Sequence, residues 1–367
     1  MLRELGIIPA FLALGCSSSV ELSVPPHLTS SSDPTVLAVI NERVSAIVVD
    51  AQRIYWLGSV GGSFGTLHSC EKQNCVGSLV TYGTAGNATL GSPIGVIGVA
   101  GGQVYWWELE ADNNGIALKA CELSGCEHGA RTVASHVVET GAAAFSADYA
   151  YVVTGYTLPG AMLRIPLTGN DAQPEQVFAT GGSEIGVGCS TCDMTSLAVQ
   201  GDYLYWQGLA GQGNANSTIN RARVDGGGEV EVLADHLGIG SPASLTLDAS
   251  YVYWSDGLLS GSIVRCPLTG CVGAPESLVG PVRLPTTVRV DGPNLYWQQA
   301  TTASGLVISS CALATCAPSQ PIARGVDDTA VLAIDDEYLY TATTDQKVEP
   351  GDLDWTNPSA SIRRIRK

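Results

Sequence analysis

Apolar and polar residues alternate in short stretches along most of the chain, and one short pattern returns seven times. In each copy an apolar stretch ends at a turn, and a tyrosine follows, as in Ser244-Leu-Thr-Leu-Asp248 and then Tyr253-Trp254. The seven tyrosines are 43 to 54 residues apart: Tyr55, Tyr105, Tyr151, Tyr205, Tyr253, Tyr296 and Tyr340. Alternation with period two predicts strands, and no sustained helical spacing follows residue 20.

Each copy divides into four predicted strands, A to D. In the fifth copy, strand A ends at Asp248, strand B holds Tyr253-Trp254, strand C is Gly261-Ser-Ile-Val-Arg-Cys266, and strand D is Glu276-Ser-Leu-Val279. Repeats of this length with four strands each build the blades of β-propellers. The sequence therefore predicts an all-β fold over residues 35–367, a seven-bladed β-propeller of four-stranded antiparallel blades.

The last copy stops after strand C, at Ser361-Ile-Arg-Arg-Ile-Arg-Lys367. In the fifth copy, Leu278 of strand D stands thirteen residues before the next turn residue, and Leu37 stands thirteen residues before Asp50. We therefore expect Thr35–Ile40 to be the missing outer strand of the last blade. This N-terminal strand would close the ring and remove an open sheet edge.

The Tyr-Trp segments are apolar on both faces, because each blade has a neighbour on each side. We expect these rings to fill the gaps between blades, with an aromatic binding platform as the alternative. Strand A places mostly small residues between its larger ones, which suits a crowded axis: Val48, Gly98, Ala144, Ala198, Thr246 and Ala333. Arg289 departs from this pattern, and it either binds an anion in the axial channel or pairs with a carboxylate.

Ten of the eleven cysteines form five close pairs: Cys70/Cys75, Cys121/Cys126, Cys189/Cys192, Cys266/Cys271 and Cys311/Cys316. Four pairs share the spacing Cys-x4-Cys at the C–D turn, and the third and fourth copies lack both cysteines together. Such pairing predicts disulfides in an exported chain. For Cys189-Ser-Thr-Cys192 we expect a local disulfide, with redox activity or metal binding as alternatives.

The N-terminus has one early cation, Arg3, and then an apolar stretch that is too short to span a bilayer. Gly15 directly before Cys16 resembles the lipobox of bacterial lipoproteins. The resemblance implies a signal peptide over residues 1–15, lipidation of Cys16 and a flexible tether over residues 16–34. We expect a membrane-anchored lipoprotein of the bacterial cell envelope, facing the periplasm or the cell surface, with plain secretion as the alternative.

The net charge of −17 makes the chain strongly acidic. Such a surface repels phosphate backbones, so we expect no nucleic-acid partner and no membrane contact except through the lipid anchor. The simplest interpretation of the charge is that it keeps an exported monomer soluble.

The Tyr-Trp pair after an Asp turn resembles the YWTD type of β-propeller repeat and, more loosely, TolB-like and NHL-like propellers. The resemblance covers residues 35–367, and Tyr253-Trp254-Ser255-Asp256 comes nearest to the full tetrad. Propellers of the YWTD type usually have six blades, whereas this chain has seven copies of the repeat. The resemblance implies a binding scaffold, although a fold does not fix a function.

In a propeller the B–C and D–A loops share one face, and these are the loops that vary here. Functional residues on rigid scaffolds concentrate on such loops, so we expect binding there. The candidate residues are Trp107, Glu108, Glu110, Asp112, Asp352, Asp354 and Trp355, together with Arg289. Exposed aromatic rings beside carboxylates suit a sugar or a cationic peptide, and solvated loops are the alternative.

The sequence holds no nucleophile elbow, no spaced set of metal ligands and no histidine-centred acid–base site. The repeated Asp residues are better explained by turn chemistry than by calcium binding. We therefore predict a non-enzymatic scaffold that needs no cofactor and binds a protein, peptide or glycan. The alternative is a propeller hydrolase or lyase with a site at the mouth of the channel.

Overall fold

The computed structural model of the protein describes residues 35–40, 42–59, 66–84, 97–110, 115–137, 140–154, 161–179, 197–210, 216–237, 244–256, 260–300, 306–316, 320–326, 332–344 and 360–367. These residues form 28 strands and one short 3-10 helix, Val76–Ser78. No helix in this part of the chain is long and apolar enough to cross a membrane.

The strands form seven separate four-stranded antiparallel sheets, which we number as blades 1 to 7. From the inner to the outer strand, blade 1 has β2 (Arg43–Val49), β3 (Arg53–Ser59), β4 (Thr66–Glu71) and β5 (Val80–Thr84), and blade 2 has β6 (Ile97–Ala100), β7 (Gln103–Leu109), β8 (Ile116–Glu122) and β9 (Arg131–Val137). In the same order, blade 3 has β10 (Thr140–Phe145), β11 (Tyr149–Thr154), β12 (Ala161–Pro166) and β13 (Glu175–Ala179); blade 4 has β14 (Leu197–Gln200), β15 (Tyr203–Ala210), β16 (Asn216–Arg223) and β17 (Glu231–Leu237); and blade 5 has β18 (Leu245–Leu247), β19 (Tyr251–Asp256), β20 (Gly261–Pro267) and β21 (Glu276–Val282). Blade 6 has β22 (Val288–Asp291), β23 (Asn294–Ala300), β24 (Leu306–Ala312) and β25 (Gln320–Val326), and blade 7 has β26 (Leu332–Ile334), β27 (Tyr338–Thr344), β28 (Ala360–Arg366) and, as its outer strand, β1 (Thr35–Ile40).

The blades form a ring around their inner strands. Each inner strand contacts the inner strand of the next blade, from β2 and β6 onward, and β26 of blade 7 contacts β2 of blade 1. The predicted seven-bladed β-propeller is thus confirmed.

The outer strand of blade 7 comes from the N-terminal side of the chain, as predicted. Strand β1 pairs antiparallel with β28, with Thr35 opposite Arg364 and Ile40 opposite Ala360. The first and last described strands therefore lie in one sheet, and this pairing closes the ring.

Seven apolar clusters fill the gaps, or seams, between neighbouring blades, one cluster to each seam. In most seams the repeat tyrosine of one blade packs with the repeat tryptophan of the next, as Tyr205 does with Trp254. Trp56 and Trp254 have no exposed surface. The predicted packing of these rings between the blades is confirmed.

The small residues of the inner strands are also explained by packing. A Cβ atom added at Gly98 would lie 2.5 Å from ring atoms of Phe145 in blade 3. The Phe145 ring in turn stacks on Tyr105, with their centroids 5.8 Å apart. Glycine at position 98 therefore makes room for the ring that fills this seam.

Each outer strand pairs with its neighbour through a register shift, and all seven outer ladders have at least one. A bulge twists an edge strand and interrupts its row of free backbone groups. The bulges therefore make the seven outer edges poor templates for pairing with other chains.

Candidate functional site

The strand order defines two faces of the ring. The A–B and C–D turns lie on one, which we call the turn face, and the B–C and D–A connections lie on the other, the loop face. The predicted binding residues Glu108 and Glu110 lie toward the loop face, and the four Cys-x4-Cys pairs lie on the turn face.

On the turn face, the repeated Asp and Tyr form one hydrogen-bonded unit. The Asp248 carboxylate accepts hydrogen bonds from the backbone N–H groups of Ser250 and Tyr251, at 2.7 and 2.8 Å. Its other oxygen accepts one from the Tyr253 hydroxyl at 2.5 Å. Asp50 with Tyr55 and Asp335 with Tyr340 repeat this arrangement. The Asp therefore folds the turn and holds the tyrosine of its own blade.

The hydrogen-bonded Asp–Tyr unit shifts the pKa values of its residues. Burial and then the hydrogen bond to Asp248 raise the pKa of Tyr253 to about 12. Burial alone would raise the pKa of Asp335, but hydrogen bonds from Lys72, Tyr340 and two backbone N–H groups outweigh it and lower that pKa to about 2. Asp335 is thus held as an anion and Tyr253 as a neutral phenol.

In every blade a backbone hydrogen bond ties the segment just after strand C to the A–B turn. The donor lies two residues after the first cysteine position, and the distances run from 2.7 to 3.4 Å. The seven donors are Lys72, Leu123, Leu167, Val224, Leu268, Leu313 and Lys367. The residue two positions after the first cysteine position is thereby held in the same place in all seven blades.

The carbonyl groups of several of these residues accept hydrogen bonds from the preceding blade. Arg131 donates to Leu167 at 3.1 Å, and Arg364 of blade 7 donates to Lys72 of blade 1 at 3.1 Å. Arg221 likewise donates to Leu268. Between blades 1 and 2 the donor is the hydroxyl of Tyr82, which bonds Leu123 at 2.7 Å. These contacts join neighbouring blades along the turn face.

Four disulfides lie at the C–D turns, as predicted: Cys70–Cys75, Cys121–Cys126, Cys266–Cys271 and Cys311–Cys316. Cys70 and Cys75 pack into the seam beside Tyr340 of blade 7, so the bridge also fills the space between blades. Cys16, Cys189 and Cys192 lie outside the described residues, so their lipidation and pairing stay predictions.

On the loop face, the predicted carboxylates of blade 2 have basic neighbours. Glu108 lies 3.9 Å from the ammonium of Lys119, which also donates to Thr132 at 2.9 Å. The Glu110 carboxylate accepts a hydrogen bond from the backbone N–H of His136 at 3.1 Å and lies 3.7 Å from its ring. These contacts place both carboxylates on blade 2 near the loop face, and their role in binding stays a prediction.

The expectation of an exposed ring at Trp107 is wrong. Trp107 is only 4% exposed and packs in the seam between blades 2 and 3, beside Val152. Val152 stands where most blades have the repeat tryptophan, so Trp107 fills that space from the opposite blade. Asp112, Asp352, Asp354 and Trp355 lie outside the described residues.

Arg289 joins three blades. Its guanidinium donates to the Leu332 carbonyl of blade 7 at 3.1 Å, to the Ser244 hydroxyl at 3.1 Å and to the Val288 carbonyl at 2.9 Å. These partners are carbonyl and hydroxyl oxygens that lie beside the inner strands. The predicted anion or carboxylate partner of Arg289 stays a prediction.

Sequence reasoning missed a side-chain contact between Glu42 and His68. His68 Nε2 lies 3.0 Å from Glu42 Oε2, and the imidazole packs near the Trp56 ring at a centroid distance of 5.5 Å. A Cβ atom at Gly58 would collide with the Glu42 carboxylate. Gly58 is therefore the sequence signal for this contact, because it leaves room for the Glu42 carboxylate at a position where blade 2 has the larger Glu108.

Buried polar side chains near the loop face are concentrated in one half of the ring. In the described part of blades 4 to 7 they are Gln207, Thr218, Asn220, Ser244, Ser255, Thr287, Gln298, Ser309, Thr341, Thr343 and Ser361. Among the described residues of blades 2 and 3 there are none, and the equivalents of Gln207 and Gln298 there are Val153 and Trp107. The fold therefore does not itself require polar residues at these positions.

Within the described ranges, no group of three or more His, Cys, Asp and Glu residues lies close enough to hold a metal ion. The ionisable side chains of the loop face described above form separate pairs on different blades, such as Glu42 with His68 and Glu108 with Lys119.

Comparison with known proteins shows similarity at the level of fold. No protein-family model matches the chain. No curated protein sequence matches it either. A structure of the mitotic checkpoint complex matches with a TM-score of 0.60 and 11% identity, covering 100% of both chains. The β-propeller domain of the Trilobed protease from Pyrococcus furiosus matches with a TM-score of 0.56 and 8% identity, covering 83% of this chain and 91% of that one.

TolB from Acinetobacter baumannii also matches, with a TM-score of 0.46 and 11% identity over 87% of this chain and 80% of that one. At such identities the matches with the mitotic checkpoint complex and the Pyrococcus domain show the propeller fold alone. The Pyrococcus domain has an open velcro topology, whereas β1 closes the ring in this protein.

Proposed function

We propose that the protein is an exported, lipid-anchored scaffold of the bacterial cell envelope whose loop face binds a protein, peptide or glycan. In this proposal residues 1–15 are a signal peptide, Cys16 is lipidated, residues 16–34 are a tether, and residues 35–367 are the propeller, which acts as a monomer without catalysis. The YWTD-like repeat is part of the same proposal.

The observation that carries the proposal is the contrast between the two faces. On the turn face the Asp, Arg and Lys side chains are used within and between blades, as in the contacts of Asp335, Arg364 and Lys72. The connections on the loop face vary, from residues 257–260 in blade 5 to residues 345–359 in blade 7. A rigid ring that carries variable loops on one face is typical of a binding scaffold.

Two further observations support export. The four disulfides are of a kind that forms and persists in oxidising compartments. Gly15-Cys16 after an apolar stretch supports lipidation. Membrane fractionation of cells that express Cys16→Ser tests the anchor: the variant should leave the membrane fraction, and its retention there would contradict lipidation.

Affinity capture from envelope extracts tests the scaffold role. The wild-type protein should capture a partner, and a variant with residues 345–359 replaced by a short Gly-Ser linker should capture much less. The matched control carries Gln73→Ala and Asn74→Ala, which change two exposed residues of the turn face. Equal capture by the linker variant and the wild type, or loss of capture in the turn-face control, would contradict binding through the loop face.

A further inference from the structure

The C–D turns on the turn face differ in charge around the ring. In blades 2, 3 and 4 every one of these turns contains acidic residues, which are Glu127, Asp171, Asp225 and Glu229. In blades 1, 5 and 6 the sequence of the turn has no acidic residue, and these turns are residues 72–79, 268–275 and 313–319. Their one basic residue, Lys72, pairs with Asp335. The acidic charge of the chain is therefore unevenly distributed over this face.

The uncharged turns expose apolar side chains. Val76 and Val272 each follow the second cysteine of a disulfide, and they are 80% and 103% exposed. Leu79, at the end of the turn in blade 1, is 53% exposed. The residues equivalent to Val76 in blades 2 and 3 are Glu127 and Asp171. The same position of the repeat is thus apolar on one side of the ring and acidic on the other.

The N-terminal strand joins the ring on the apolar side. Blade 7 lies between blades 6 and 1, and Thr35 pairs with Arg364 at the turn-face end of β28. The chain upstream of Thr35 therefore reaches the ring where the other blades have their C–D turns. Val36, the second residue of β1, is 44% exposed. Val36 and the uncharged turns of blades 5, 6 and 1 form one continuous arc, which we call the apolar arc.

The proposed lipid anchor determines what the apolar arc faces. In that proposal residues 16–34 connect the lipid at Cys16 to Thr35, and the ends of a flexible linker of this length are on average about 25 Å apart. Such a linker keeps the arc close to the bilayer and raises the effective concentration of its side chains at the lipid surface. A contact that is weak by itself becomes populated in this way.

We propose that the apolar arc lies against the phospholipid bilayer that holds the anchor, with Val76, Leu79 and Val272 between the headgroups and the acyl chains. This inference rests on the proposed lipid anchor and adds a direct contact between the propeller and lipid. The acidic turns of blades 2 to 4 stay in water, because a carboxylate is costly to remove from water and is repelled by anionic lipids. The net charge of the whole chain argues against membrane contact outside the anchor, and the apolar arc is the part of the turn face to which that argument does not apply.

The test uses the full-length, lipidated protein in phosphatidylcholine vesicles, a small fraction of whose lipid carries a diazirine on an acyl chain. Light activates the diazirine, which labels side chains that reach the acyl region, and mass spectrometry of peptides locates the label. The peptides that contain Val76 and Val272 should carry the label. The peptides that contain Glu127 and Glu229 should carry about tenfold less, because their turns stay in water.

A double variant and a matched control locate the contact. Val76→Asp with Val272→Asp should reduce the label at both turns about tenfold, since moving one valine side chain out of water changes an equilibrium constant by roughly that factor. Val232→Asp changes an equally apolar, exposed residue on the outer strand of blade 4 and should leave the labelling unchanged. All three valines are exposed, so the thermal unfolding midpoints of the variants should match that of the wild type.

Equal labelling of the turns of all blades would overturn the contact. Absence of label at the turns of blades 1 and 5 would also overturn it, since the valines would then be in water or covered by another protein molecule. Labelling that survives Val76→Asp with Val272→Asp would have the same meaning. Fractionation of Cys16→Ser reports on the anchor separately: release of that variant together with uniform labelling would leave the anchor standing and remove only this contact.

Discussion

The ammonium of Lys72 lies 2.5 Å from Oδ2 of Asp335, a residue 263 positions away in the sequence. Lys72 belongs to the C–D turn of blade 1, and Asp335 belongs to the A–B turn of blade 7. The Lys72 carbonyl also accepts a hydrogen bond from Arg364. Two polar contacts on the turn face therefore hold together the blades at which the ring closes.

Replacing Lys72 with Met should lower the free energy of unfolding by about 1–3 kcal/mol, because it leaves the partly buried Asp335 carboxylate without its cation. Urea unfolding at neutral pH measures this difference. Arg283→Met removes an exposed cation and is the control. An equal effect of the two substitutions would show that the contact with Asp335 adds nothing.

Stability should also depend on pH through Asp335, whose pKa is lowered to about 2 in the folded protein. A depressed pKa means that the folded state favours the carboxylate, so this stabilisation is complete above the ordinary value near 4 and disappears as the pH falls toward 2. Comparing urea unfolding of the wild type and Asp335→Asn between pH 2 and 6 isolates the effect. Their difference in unfolding free energy should shrink as the pH falls, and a constant difference would contradict the shift.

Tyr253 should resist ionisation at alkaline pH, because its pKa is raised to about 12. The raised pKa stabilises the folded state below pH 10, and this contribution is lost as the pH rises from 10 toward 12. Ultraviolet titration of the phenolate band should show tyrosines that ionise late. Tyr253→Phe should remove one of them and cost about 1 kcal/mol of stability, and an unchanged late fraction would contradict the assignment.

Gly98→Ala should destabilise the protein by about 1–3 kcal/mol, because the new methyl group would overlap the Phe145 ring. The smaller side chain in Phe145→Leu should reduce the penalty in the double variant. Gly83→Ala is the matched control, because its Cβ would lie 3.4 Å from the Trp106 ring, an ordinary contact. Thermal unfolding of the four proteins measures the coupling, and additive effects at positions 98 and 145 would contradict it.

Replacing both cysteines of one disulfide should destabilise the protein less than replacing only one of them. Cys266→Ala with Cys271→Gly copies blade 4, which has Ala222 and Gly227 at these positions, and should cost about 2 kcal/mol. Cys266→Ala alone should cost at least as much and also leaves a reactive thiol at Cys271. Peptide mapping without reduction checks the four pairings in the wild type, and a free thiol at any of the eight cysteines would contradict them.

The blade count, the closing strand and the four disulfides could be predicted from the sequence, because each depends on spacing within or between adjacent repeats. Thr35–Ile40 is assigned to blade 7 because the last copy stops after strand C and because Leu37 stands thirteen residues before Asp50, as Leu278 does before Asp291. The contacts between blades at the turn face were not predicted. Arg364 and the Lys72 carbonyl are far apart in sequence, and a backbone acceptor leaves no trace in residue identity.

The candidate site is less predictable, because an aromatic residue next to carboxylates in the sequence can be buried in a seam instead of exposed on a loop. At Trp107 the predicted exposure is wrong, since a ring in a strand after Trp106 faces the opposite seam, where Val152 leaves space. The buried polar residues Gln298 and Thr341 could be recognised only once the facing strands were known. Their signal in the sequence is small, a Thr after Tyr340 and a Gln after Trp297.

The direction of β1 has a practical consequence for display of the protein. Thr35 pairs with Arg364 near the turn face, and Ile40 pairs with Ala360 near the loop face. A tag or carrier joined upstream of Thr35 is therefore attached on the cysteine-bridged side of the disc. Immobilised in this way on a sensor surface, the propeller would present its opposite side to the analyte.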